Sequence, residues 1–133
     1  MVSTLMAAVL LLAGADALAQ QRPALRGVSS VRIANYGAPS LVLNKREEIQ
    51  DLLDEVNGLR RKEWRRGDTS LNCYSTVVFM SGQKRVAEFR VRPDTVVERP
   101  VDKAQSAHTL LINPADIPRL SELLSRAKPA TCQ

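Results

Sequence analysis

Histidine is almost missing from this chain. Its 133 residues include one, His108, together with only two cysteines. A His/Cys zinc centre needs a full tetrahedral set of such ligands, and these three residues cannot supply it. A serine nucleophile would have to use His108 as its base. Ser75 and Ser106 are the serines that could be proposed for it, and neither stands in a nucleophile-elbow sequence. The six glycines are scattered, so no glycine-rich phosphate loop is present. The carboxylates lack EF-hand spacing. Cys73 and Cys132 do not form a CxxC redox motif. On this reading the chain has no catalytic residue, no metal ligand and no cofactor site. His108, between a polar loop and a strand, reads as a solvated loop residue, and Asp51, Asp54 and Glu55 as the solvated back of a helix.

Long apolar runs are equally scarce. The one clear run, Leu5 to Ala13, is far short of the ~20 residues a membrane-spanning helix requires. Followed by Ala17-Leu18-Ala19, it reads as a signal peptide over residues 1–19 with cleavage before Gln20. The segment before the run carries no Lys or Arg. No Cys follows the cleavage site, so no lipid anchor is expected, and no transmembrane segment remains. Residues 20–133 are then a single small exported domain, periplasmic or secreted, whose first part, 20–27, reads as a loose leader. In an exported protein two cysteines point to a disulfide. Cys73–Cys132 is its one possible pairing. The bond would close a loop of roughly 60 residues, worth at most about 4 kcal/mol in chain entropy.

What is present is aliphatic periodicity and arginine. Val31 and Ile33 alternate with Arg32 and Ala34 in a strand that forms a hairpin with Leu41-Val42-Leu43. Asn44 reads as an N-cap with Glu47 at capping-box spacing. Ile49, Leu52, Leu53, Val56 and Leu59 then trace one apolar stripe along a helix. Asn72–Met80, Arg85–Arg92 and Thr95–Arg99 form an antiparallel meander. Residues 101–107 read as a polar loop. A short strand from His108 to Ile112 leads through Asn113 and Pro114 into a second helix with Ile117, Leu120, Leu123 and Leu124 as its stripe. Pro118 delays the regular part of this helix to about Asp116, and Pro129 ends it. The LVLN and LLIN units, from Leu41 and Leu110, repeat the same strand, Asn cap and helix order. Two one-sided helices and one-sided strands are best satisfied by a two-layer α+β sandwich. It has an antiparallel sheet of about five or six strands with both helices on one face, in the order ββα-βββ(β)α.

Arginine outnumbers lysine 14 to 5, and the net charge is +5. The densest cluster is LRRKEWRRGD, Leu59 to Asp68. Arg60, Arg61 and Lys62 suit the negative end of the helix dipole. Trp64 caps the core edge, and Arg65 and Arg66 follow it. A nucleic-acid surface would interleave several aromatics or run as a continuous basic stripe, so nucleic acid is not the expected partner. A second basic set, Arg85, Arg90 and Arg92, falls on the meander's outer face with Tyr74 nearby. Arginine beside an aromatic is favoured at protein interfaces.

These features point first to a small exported, disulfide-stabilised, non-enzymatic module. It would bind an exported or envelope protein, as an inhibitor or immunity protein does. The alternative is an envelope-associated protein that holds an anionic polymer or lipid headgroups through Leu59–Arg66. Two weaker readings are an enzyme with His108 as general base and a fragment of a larger assembly. The sequence fixes no oligomeric state.

Overall fold

The computed structural model describes residues 21–36 and 40–127. The expected cleavage site, Pro129 and Cys132 lie outside the described residues. The sheet is antiparallel and has seven strands, β1 (Ser30–Ala34), β2 (Leu41–Leu43), β3 (Arg65–Arg66), β4 (Ser75–Ser81), β5 (Lys84–Arg92), β6 (Thr95–Arg99) and β7 (His108–Leu111). Their spatial order is β2-β1-β4-β5-β6-β7-β3. Helices α1 (Arg46–Arg60) and α2 (Pro118–Arg126) share one side, giving an α+β sandwich.

The core is built as the periodicities require. Val31, Ile33, Val77, Phe79, Phe89 and Val91 project from one face of the sheet into the layer that Leu52, Val56, Leu120 and Leu123 bring from the helices. Phe79 and Phe89 meet edge to face, with centroids 5.5 Å apart. All five stripe residues of α1 are buried. Burying one such aliphatic side chain contributes about 1.5–3 kcal/mol, so the stripe alone decides which face of α1 turns inward.

The backbone departs from the sequence reading in several places, one of them β4, which begins at Ser75 rather than Asn72. The extra strand is β3, a two-residue piece at the sheet edge paired with β7, too short for alternation to reveal. Helix α1 begins at Arg46 with Lys45, not Asn44, in the cap position, and Lys45 provides no side-chain cap. The second unit does use its acid, since the Asn113 N–H donates to Asp116 Oδ2 at 2.8 Å. That contact organises a 3₁₀ turn, Pro114–Asp116, and α2 starts only at Pro118. Proline has no N–H to lose at the first position of a helix. The last is the segment read as a loose leader, residues 20–27, whose described part, from Gln21, lies along α1. The Arg22 N–H donates to Arg60 O at 2.7 Å. Asn57 brackets the Leu25 backbone, accepting its N–H at 2.8 Å and donating to its carbonyl at 3.3 Å.

Candidate functional site

The basic cluster of Leu59–Asp68 divides at the end of α1. Arg60, in the last helical turn, points inward and is 3% exposed. Its guanidinium donates to Glu98 and, through Nε, to the Pro23 carbonyl. Glu98 is 8% exposed because the register of β5 and β6 sets it beside Phe89, on the core face. Arg22 approaches the same carboxylate at 3.6 Å. Trp64 is 1% exposed and donates its indole N–H to Leu59 O at 2.9 Å, so it is a core residue that also closes the helix end. Arg61, Arg65 and Arg66 remain exposed. Lys62 is exposed, 3.7 Å from Asp116.

His108 stands directly across from Glu98 in the β6–β7 register. It is buried at the start of a strand, which corrects its reading as a solvated loop residue. Its Nδ1 lies 3.1 Å from Ser106 O. Burial holds its pKa below the ordinary imidazole value, and Arg22 and Arg66 push the same way. The Ser106 carbonyl and Glu98 oppose them. A lowered pKa keeps the ring neutral near pH 7, where a charged imidazole would be costly beside two guanidinia.

The meander arginines also have internal partners. Between β3, at the far edge, and β4, in the middle, the chain crosses the outer face as a strap, residues 67–74. Each strand beneath holds it in turn. On β7, Thr109 Oγ1 donates to Gly67 O at 2.8 Å. On β6, Arg99 pairs with Asp68. On β5, Arg92 donates to Asn72 O, and Arg90 stacks over Tyr74 with its guanidinium carbon 4.6 Å from the ring centroid. Val97, on the outer face, is fully buried although it lies outside the helix-side core cluster. Arg85 stays exposed and pairs with Glu88 three residues on. Near the end of the strap stands Cys73, whose φ of 61° is an uncommon left-handed conformation for a residue with a side chain.

One further carboxylate was hidden in the α1 sequence. Glu55 reads as part of a solvated helix back, yet it reaches α2 and accepts the backbone N–H groups of Arg119 and Leu120, both at 2.8 Å. Ile117, at the α2 cap position, provides no side-chain cap. Glu55 therefore satisfies donors that every helix start leaves open and complements the dipole. No local spacing signals this contact, because the partners are 64 and 65 residues away.

Among the described residues, no group of three or more His, Cys, Asp or Glu could hold a metal ion. Among the same residues, no helix is long and apolar enough to cross a membrane. No protein-family model matches the chain, and neither a curated protein nor a solved structure is detectably similar to it.

Proposed function

We propose that this chain is a small exported, non-enzymatic module that binds an envelope or extracellular protein, stabilised by a Cys73–Cys132 disulfide. The observation that carries the reading is the division of the basic cluster. Arg60 and Trp64, which a polyanion surface would need to present, turn into the core. The cations left outside, Arg61, Lys62, Arg65 and Arg66, lie in or just before β3, the strand at the edge of the sheet. A strand edge recognises another backbone, whereas a polyanion needs a continuous charged track. The placement of His108 inside the domain, against a backbone carbonyl, also favours a structural role over general-base catalysis.

The disulfide draws support from the geometry around it. Ser75 Oγ donates to Asn35 Oδ1 at 2.8 Å, and Asn35 Nδ2 donates to Leu124 O at 3.2 Å. The last turn of α2 is thus tied to the start of β4, two residues after Cys73.

The test is a pull-down from envelope and culture medium with oxidised protein beginning at Gln20. Stoichiometric recovery of a protein partner is the expected result. Recovery of anionic polymers alone, lost as salt rises, would overturn the reading in favour of polyanion binding. Mass spectrometry of native material should show a chain starting at Gln20 with a Cys73–Cys132 cross-linked peptide.

A further inference from the structure

We infer that the outer edge of β3 is a strand-addition site for an extended acidic segment of the partner. This deepens the protein-binding reading and rests on it. The backbone comes first. The Gly67 N–H donates to Ala107 O at 2.8 Å, so that pair is a hydrogen-bonded one. Such pairs alternate along an antiparallel ladder. Arg66, paired with His108, therefore belongs to a non-bonded pair and directs its own N–H and C=O away from β7. Among the described residues, no strand of the sheet lies on that side. The side chains come next. Arg65 and Arg66 alternate across the strand and are both exposed, so an added strand meets a guanidinium on each of its faces.

The charges choose among occupants. A second copy pairing edge to edge would set these arginines against their equivalents, and like charges opposite one another on strands are destabilising. Carboxylates in the same places are stabilised by the same rule. An open groove of about 590 Å³ runs beside the strand, lined by Glu63, Arg65, Arg66, Asp68, Thr109 and Leu111 among others, and Asp68 is already paired with Arg99. Leu111 is 79% exposed and offers an apolar contact next to the charges. Glu63 places the acidic residues of the guest beside Arg65 and Arg66 rather than at the other end of the groove. The opposite edge, β2, is the uncharged sequence Leu-Val-Leu and has no such preference.

The probe is a short Thr-rich peptide with a central Glu-Glu pair, which sets one carboxylate on each face of the added strand, titrated into the oxidised protein while amide exchange is followed by NMR. Binding with slowed exchange of the Arg66 amide is expected. The same peptide with alternate amides N-methylated should not bind, since it cannot complete the ladder. Arg65→Glu with Arg66→Glu should weaken binding by about tenfold or more. The milder pair Arg65→Gln with Arg66→Gln guards against a folding defect and should also weaken it. No binding, or equal binding of the N-methylated peptide without protection of Arg66, overturns the site. Should the charge-reversed protein still capture the partner found with wild type, this edge is excluded while the binding reading stands. Failure of the wild type to capture any protein removes that reading itself.

Discussion

Arginine does two kinds of work on the two sides of this sheet. On the helix side, Arg60 and Arg22 converge on Glu98 at 3%, intermediate and 8% exposure, between α1, the Gln21–Val28 segment and β6. On the outer side, Arg90, Arg92 and Arg99 hold a strap in partial contact with water. The partners look alike as pairs, but burial separates them. A charge left alone in the interior retains its full desolvation cost, whereas an exposed pair competes with solvent and salt. The inner contacts therefore fix the fold, and the outer ones fasten a loop that several weak attachments share.

The largest expected effect comes from breaking the inner set. Glu98→Ala strands Arg60 and leaves Arg22 without its carboxylate, and should cost about 3–5 kcal/mol, read from urea unfolding. Glu55→Ala is next. It removes both acceptors at the start of α2 and should cost about 1–2 kcal/mol, with the loss concentrated in exchange protection of α2 amides. On the outer side, Arg99→Ala should cost less than about 1 kcal/mol, and Arg85→Ala less again. Either effect should shrink in high salt.

The smallest effect sharpens the contrast through pH. The folded pKa of His108 lies below the ordinary 6.5 of an unfolded chain, so between those values the unfolded state binds more protons. Stability attributable to this residue is full above pH 6.5. It falls as pH drops through the window and levels off below the folded pKa. His108→Gln should flatten that part of the stability–pH curve, measured by thermal unfolding across it.

The elements were legible where their signal is local. The α1 stripe, the alternation in β5 and the turns of the meander each declare themselves within a few residues, and these fixed the layers. The polar contacts were not legible, because what decides them is remote. Glu98 looks like an ordinary strand acid until the register turns it toward Arg60, 38 residues away. Asp68 finds Arg99 at a separation of 31. For Arg60, local reasoning about the helix dipole gives a sufficient account of a cation at that position, and so conceals its burial. Likewise β3 escapes detection because two arginines carry no alternation, although they fill the edge that β7 would otherwise expose.

The most direct measurement is a pair of double-mutant cycles run under identical conditions, Arg60→Met with Glu98→Leu inside and Arg99→Met with Asp68→Leu outside. The account predicts a coupling of about 2–3 kcal/mol for the inner pair and under about 1 kcal/mol for the outer one. Additive behaviour at Arg60 and Glu98, with a coupling no larger than that of Arg99 and Asp68, would contradict it.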